Sequence, residues 1–191
     1  MVTAMNLNDL IVASYSPAET EAVQNYRISG AARDALGDAG RAILAEFLPV
    51  PGACALMSAV YAQEIKSRID EPGHVVVGTL DADGVRVFGQ TELEKGPAPC
   101  LRSDLDWDGH MWVMVGNQVA DISLLRTAKS TGGHPALKQL VAREFRACAG
   151  LAIWSIDDAL DAWLHYAPNY VLTIVEIDGL ANGGRATLPR A

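Results

Sequence analysis

Three side chains of the sequence have the chemical types needed for nucleophilic catalysis by a thiol. Cys54 supplies a nucleophile, and His110 supplies a base that can take up and return a proton. Asp121 supplies a carboxylate that can orient the imidazole and stabilise its cation. The three occur in the order Cys, His, Asp, and whether they can act together depends on the elements that carry them.

Cys54 is predicted to stand at the start of a helix. The prolines and glycine of residues 49–52 end any preceding helix, and apolar residues with helical spacing then continue to about Ile69. The unpaired backbone N–H groups and the macrodipole at a helix N-terminus favour a thiolate. The same N–H groups can bind an oxyanion that develops during acyl transfer. Neither Cys100 nor Cys148 has such a setting, and both are interpreted as incidental thiols.

His110 and Asp121 are predicted to lie on one face of a β-hairpin. Side chains alternate along a strand, so His110 and Trp112 share a face. A two-residue turn at 116–117 pairs position 112 with position 121, which puts Asp121 on that face, one diagonal step from His110. A turn at 117–118 would pair position 114 with position 121 and leave Asp121 on the same face. Diagonal neighbours lie about 7–8 Å apart at the backbone, within reach of an Asp–His hydrogen bond. Trp112 is the aromatic residue expected to contact a substrate.

The remaining pattern predicts a single α+β domain over residues 1–191. Gly37-Asp38 is expected to break a helix within its N-terminal part. The predicted parts, in chain order, are helices over about 16–70, a mostly antiparallel sheet over about 74–125, a helix and a strand over 134–177, and a loose tail over 178–191. Within the third part, a first helix is expected from His134 to about Arg146, a second from Ser155 to about Tyr166, and a strand over 169–177.

Composition limits the class of partner. The net charge of -8 is repelled by nucleic-acid backbones and anionic membranes, and no Lys/Arg cluster reverses it locally. No apolar run approaches the roughly 20 residues of a membrane span. Residues 1–15 contain no Lys or Arg and lack a signal-peptide layout, so we expect a cytoplasmic protein. Three cysteines at wide spacings fit neither a disulfide framework nor a zinc site, and we expect no metal or cofactor.

With these residues placed, the sequence resembles the papain-like cysteine hydrolase superfamily, and more closely its transglutaminase-like and NlpC-type branches. The resemblance covers about Pro51 to Leu125 and is carried by Cys54-Ala55-Leu56, by Gly109-His110-Met111-Trp112-Val113 and by Val119-Ala120-Asp121. It implies a papain-like or transglutaminase-like core and attack on an amide or ester carbonyl of a peptide or amide-containing substrate. The acyl-thioenzyme so formed would pass its acyl group to water or to an amine, and the sequence leaves both open.

The second oxyanion donor that the resemblance implies is not fixed by the sequence. In the superfamily it is often a side chain upstream of the cysteine. Gln24, Asn25 and Tyr26 are the candidates here.

Two other classes of function stay open. A papain-like scaffold can serve as a non-catalytic binding or interaction module in which Cys54 is only packed. A redox-sensing thiol would react with peroxide without acyl chemistry and would not need His110. Thiol reactivity separates these classes, because a catalytic cysteine is alkylated rapidly near neutral pH and a packed one is inert.

The long polar loop from Glu92 to Asp108 precedes the histidine strand. Residues 104–109 copy the first half of an EF-hand calcium loop, but Val115 stands at the twelfth position, where a bidentate glutamate is required. An acidic surface loop is the favoured interpretation. If the triad acts, Asp104 and Asp106 would favour cationic or neutral substrates.

Overall fold

The computed structural model describes residues 6–91, 107–145 and 150–191, and within them the chain is an α+β protein, as predicted. Residues 92–106 and 146–149 lie outside the described residues, and with them Cys100, Cys148 and most of the predicted polar loop. The helices are α1 (Leu7–Ser14), α2 (Pro17–Asn25), α3 (Gly30–Glu46), α4 (Cys54–Arg68), α5 (Leu124–Lys129), α6 (Pro135–Glu144), α7 (Ile156–Asp161) and α8 (Ile174–Thr187). The strands are β1 (Gly73–Ala82), β2 (Val85–Phe88), β3 (His110–Val115), β4 (Gln118–Asp121), β5 (Ala152–Ser155) and β6 (Leu164–Val171).

Strand β1 is the centre of a curled antiparallel sheet. Along one edge it pairs first with β3, ending at Gly78 opposite His110, and then with β2, where Leu80 lies opposite Phe88. Its other edge pairs with β6. Strand β4 continues the sheet beyond β3, and β5 follows β4. His110 and Phe88 therefore become neighbours on the same edge of β1, although they belong to different strands.

The predicted hairpin is confirmed, and its register selects the first of the two turn positions that the sequence left open. Val115 pairs with Gln118 and Val113 with Ala120, so the turn lies at Gly116-Asn117. Gly116 has a φ of +58°, a conformation that glycine adopts without a Cβ penalty. Continuing the register by one residue brings position 112 opposite position 121, as the alternation required.

Helix α4 fixes the position of Cys54 because most of its surface is buried against the sheet and two other helices. Its apolar residues join those of α3, β3 and α8 in the largest core cluster. The Ser58 hydroxyl donates a hydrogen bond of 2.8 Å to the carbonyl of Met111, which ties α4 directly to the histidine strand.

The predicted loose tail is wrong, because α8 spans most of it. Thr173 and Glu176 form a capping box at the N-terminus of α8. Ile177, Leu180 and Ala181 are buried in the core shared with α4. The tail looked unstructured because Asn182-Gly183-Gly184 has poor helix propensity, but burial of the apolar face outweighs that local preference.

Two other boundary predictions fail for related reasons. Helix α3 continues through Gly37-Asp38, since Gly37 is covered by the Arg41 side chain and Gly40 packs against Leu151. The helix expected to run from Ser155 to about Tyr166 ends earlier, and its last predicted residues lie in β6. Helices α1 and α5 and strand β5 were not predicted. Among the described residues, no helix has both the length and the apolar character needed to cross a membrane.

Candidate functional site

The structure brings His110 and Asp121 together as a buried pair. Nε2 of His110 lies 2.6 Å from Oδ2 of Asp121, and neither side chain is exposed to solvent. His110 is the first residue of β3 and Asp121 the last of β4, so the hairpin register alone places them on one face. The sequence of the hairpin thus builds the histidine–carboxylate half of the predicted triad.

Asp121 is held as a carboxylate by donors on both of its oxygens. Oδ1 accepts hydrogen bonds from the backbone N–H groups of Ser123 and Leu124 and from the Ser123 hydroxyl, at 2.9 to 3.2 Å. Oδ2 accepts the Tyr166 hydroxyl at 3.0 Å in addition to His110. Burial acts to raise the pKa of Asp121, but the His110 imidazolium and the backbone donors hold it below its usual range. Because the carboxylate is ionised, Nε2 of His110 carries the proton of their hydrogen bond.

Cys54 lies at the first residue of α4 and beside His110. Its Sγ is 3.9 Å from the carbonyl oxygen of Gly109, the residue that precedes the histidine. Cys54 is buried, with 6% of the residue exposed, and it lines the cavity described below. The N-cap residue, Ala53, has no side chain that can accept hydrogen bonds from the N–H groups of the first turn. These groups are the predicted oxyanion donors.

The electrostatics of the site favour a protonated imidazole. Burial acts to lower the pKa of His110, but the Asp121 carboxylate and the adjacent Cys54 side chain raise it to about 10. Nδ1 of His110 is buried and has no hydrogen-bond partner. Since Nε2 is engaged by Asp121, Nδ1 is the nitrogen left to exchange a proton with the thiol.

Aromatic rings fix the plane of the imidazole. Phe88 stacks on His110 with ring centroids 4.5 Å apart, and Trp112 lies 6.1 Å away on another side. Tyr166 contacts Trp112 edge-on at 5.1 Å, so the ring that touches His110 is itself supported. A ring held in this way keeps Nε2 directed at Asp121.

Trp112 occupies a different place from the one expected of a substrate contact. It is 2% exposed and belongs to the core cluster between the sheet and α1. It does not line the cavity beside Cys54. The structure therefore gives Trp112 a supporting position behind the histidine, and direct contact with a substrate stays a prediction.

A cavity of about 350 Å³ opens beside Cys54. Residues 48–54 form one wall, and residues 123–131, which contain α5, form the other. Both His110 and Asp121 are fully buried and do not line it. Of the three predicted catalytic residues, Cys54 alone lines this cavity.

The upstream candidates for a second oxyanion donor are not brought to the site. Tyr26 lies against Gly116 at the turn of the hairpin, which is the opposite end of β3 from His110. Asn25 ends α2 and its neighbour Gln24 is exposed. Within the described ranges, no three or more His, Cys, Asp or Glu side chains lie together as metal ligands would.

Sequence reasoning missed two residues of the site, Tyr166 and Phe88. Both reach it through pairing with β1, and Tyr166 is 45 residues from Asp121 in the chain. Tyr166 was assigned to the end of a helix, and the last strand was predicted over 169–177, whereas β6 spans Leu164–Val171.

Comparisons with models of protein families, with curated proteins and with solved structures gave no significant match to this chain. Any assignment of function to this chain therefore rests on the geometry of the site.

Proposed function

We propose that this chain is a papain-like, cysteine-dependent hydrolase or acyltransferase that acts on an amide-type carbonyl through Cys54, His110 and Asp121. The observation that carries the proposal is the buried His110–Asp121 pair beside a thiol at an uncapped helix N-terminus. The unengaged Nδ1 of His110 supplies the missing proton acceptor for that thiol. A free thiol as nucleophile suits a reducing compartment such as the cytoplasm, which forms part of the proposal.

In the first half-reaction the Cys54 thiolate, whose proton is held at Nδ1 of His110, attacks the carbonyl carbon. The C–S bond forms while the carbonyl π electrons move to oxygen, and the N–H groups of the first turn of α4 bind the resulting oxyanion. The intermediate then collapses, the C–N bond breaks, and His110 donates its Nδ1 proton to the leaving amine. The products are a free amine and a thioester on Cys54.

In the second half-reaction water or an acceptor amine attacks the thioester. His110 takes a proton from the attacking group, the C–S bond breaks, and the thiolate leaves. Asp121 stays ionised throughout and stabilises the imidazolium in both halves. Hydrolysis yields a carboxylic acid, and transfer yields a new amide.

The first experiment is the pH dependence of iodoacetamide labelling of the full chain, with mass spectrometry to locate the adduct. A free cysteine has a pKa of about 8.5, so about 0.3% of it is thiolate at pH 6. If His110 holds the proton of Cys54, labelling at pH 6 should be at least about tenfold faster than for a free thiol. Cys100 and Cys148 serve as internal references, since their adducts are resolved in the same digest.

The variant His110→Asn tests the pairing, because asparagine can still donate a hydrogen bond to Asp121 but cannot take the thiol proton. We expect it to slow Cys54 labelling at pH 6 by about tenfold or more. The matched control is His165→Asn, at an exposed histidine that pairs with Asp81 outside the site. Circular dichroism checks that both variants remain folded.

Labelling that follows the pH profile of an ordinary thiol in the unmodified chain would overturn the proposal, whatever the variants do. Fast labelling that is indifferent to His110→Asn would also overturn it. If peroxide then oxidised Cys54 readily in both proteins, the result would favour the redox-sensing class. Failure of any reagent to reach Cys54 would favour the non-catalytic module.

A further inference from the structure

The cavity beside Cys54 has two chemically different walls. The wall formed by residues 48–53 is apolar, with Pro49, Val50 and Pro51 at its centre. The opposite wall carries two cations, Arg126 and Lys129, and a set of hydroxyl groups. The hydroxyl-bearing residues are Ser123, Thr127, Ser130 and Thr131.

The polar wall is built on the segment that follows Asp121. The carboxylate of Asp121 accepts hydrogen bonds from the backbone N–H groups at the start of α5, and these bonds join the predicted triad to this helix. Ser123, Arg126 and Ser130 are spaced by three and four residues, which puts them on one side of the helical segment. The orientation of the wall toward Cys54 is therefore set by the same hydrogen bonds that hold Asp121.

Arg126 is fixed in position by the end of α3. Its guanidinium donates to the carbonyl oxygen of Phe47 at 2.8 Å and to that of Leu44. Both acceptors are backbone carbonyls, so these contacts leave its positive charge uncompensated by a carboxylate. A guanidinium has five N–H donors, and two such bonds leave others to face the cavity.

The charge of the cavity is opposite in sign to that of the chain. The sequence has a net charge of -8, yet no Asp or Glu is among the described residues that line this cavity. The Ser123 and Ser130 hydroxyls donate to Asp121 and to the Thr127 carbonyl. Two positive side chains and the hydroxyls of Thr127 and Thr131, opposite an apolar wall, form the type of site that binds a compact anion. A cavity of about 350 Å³ is the size of a small-molecule or single-side-chain pocket.

From this arrangement we propose that the substrate carries an anionic group, a carboxylate or a phosphate, which binds to Arg126, Lys129 and the hydroxyls of Thr127 and Thr131 while its carbonyl lies at Cys54. The inference rests on the proposed function and adds the substrate class to it. It reverses the expectation drawn from Asp104 and Asp106, which favoured cationic or neutral substrates. The apolar wall would pack against the stem that joins the anionic group to the carbonyl.

The test compares iodoacetate with iodoacetamide as probes of Cys54. The two reagents make the same C–S bond and expel the same iodide, but only iodoacetate carries a carboxylate. We measure the ratio of their labelling rates at Cys54 in the full chain and divide it by the ratio for glutathione under the same conditions. Because the protonated His110 also attracts anions, the informative quantity is the change in this ratio between variants.

Charge reversal at Lys129 isolates the contribution of the wall. We expect Lys129→Glu to lower the normalised ratio by about three- to tenfold, and Lys129→Arg to preserve it. Lys66→Glu is the matched control, because Lys66 is in the last turn of α4, far from the Cys54 end, and should leave the ratio unchanged. Higher ionic strength should reduce the preference for iodoacetate in the unmodified chain.

Protection by added anions identifies the chemical group. Succinate and inorganic phosphate are added separately during labelling, and the anion that slows iodoacetamide at the lower concentration is the one the wall prefers. Protection by neither would overturn the inference.

The outcomes separate this inference from the proposed function. Rapid, His110-dependent labelling with the same ratio in Lys129→Glu would overturn the anionic substrate and leave the triad intact. Slow labelling with a ratio that still depends on Lys129 would overturn the triad and support an anion site beside an inert thiol.

Discussion

Replacement of Asp121 by asparagine should break the site in a way that the structure specifies. The backbone N–H groups of Ser123 and Leu124 are donors held in fixed positions, and they cannot pair with the NH₂ group of asparagine, which is also a donor. The side-chain oxygen of asparagine must therefore face these two residues. The NH₂ group then faces Nε2 of His110, which can accept its hydrogen bond only when that nitrogen has lost its proton. Asp121→Asn is therefore expected to leave His110 neutral and in the opposite tautomer.

The magnitude follows from the pKa of His110. The difference between about 10 in the folded chain and the ordinary value of 6.5 corresponds to about 5 kcal/mol at about 1.4 kcal/mol per unit. Loss of one partner of a buried ion pair typically costs about 3–5 kcal/mol, which is the same order. We expect Asp121→Asn to lower the free energy of unfolding by about 3–5 kcal/mol near pH 6.

The directions of the two pKa shifts determine how the stability of the folded chain changes with pH. A histidine whose pKa is raised in the folded state contributes all of its stabilisation below pH 6.5 and loses it as the pH rises toward 10. The lowered pKa of Asp121 adds stabilisation that is present above about pH 3.8 and is lost at lower pH. The advantage of the unmodified chain over Asp121→Asn should therefore be largest near pH 5–6 and shrink by up to about 1.4 kcal/mol per unit above pH 6.5.

The assay is urea unfolding followed by circular dichroism at pH 6 and at pH 9.5. The matched control is Asp83→Asn, which removes an exposed carboxylate paired with Arg143 and should cost at most about 1 kcal/mol. The assay compares the free energy of unfolding of the unmodified chain with that of Asp121→Asn. If the difference stays constant or grows from pH 6 to pH 9.5, the proposed charge state of the pair is refuted.

Two further substitutions test the surroundings of the site. Tyr166→Phe removes one donor from Asp121 and should cost about 1.5–3 kcal/mol in urea unfolding, with a shift in the pH profile of Cys54 labelling that a merely structural role would not produce. Gly78→Ala should lower the melting temperature sharply, because the added Cβ would collide with the backbone carbonyl of Ala167. Gly179→Ala is the matched control on an open face of α8, and it should be neutral or stabilising by up to about 1 kcal/mol. Equal melting temperatures for the two alanine variants would contradict the close pairing of β1 with β6.

The parts of the site that could be predicted from the sequence are those that depend on short-range geometry. The placement of His110 and Asp121 on one face of the hairpin follows from strand alternation and a two-residue turn, and it needs no knowledge of the rest of the fold. The start of α4 at Cys54 follows from the prolines that precede it.

The parts that could not be predicted depend on tertiary contacts. Tyr166 reaches Asp121 because β6 pairs with β1, and no local pattern encodes that pairing. Helix α3 passes through Gly37-Asp38, and α8 forms despite two adjacent glycines, because burial outweighs local propensity in both. The cationic wall was missed because α5 was not predicted.

The triple pairing of β1 also has a consequence for the order in which the chain folds. The β1–β2 pairing closes over a two-residue turn. The β1–β6 pairing joins residues that are far apart in the sequence, such as Val76 and Val171. Contacts of such high sequence separation carry a large loop-closure entropy and slow the search for the native state. We expect the β3–β4 hairpin to unite His110 with Asp121 early. The Tyr166 hydroxyl would then arrive only when β6 docks, so that the rate of this late step governs how quickly the completed site appears.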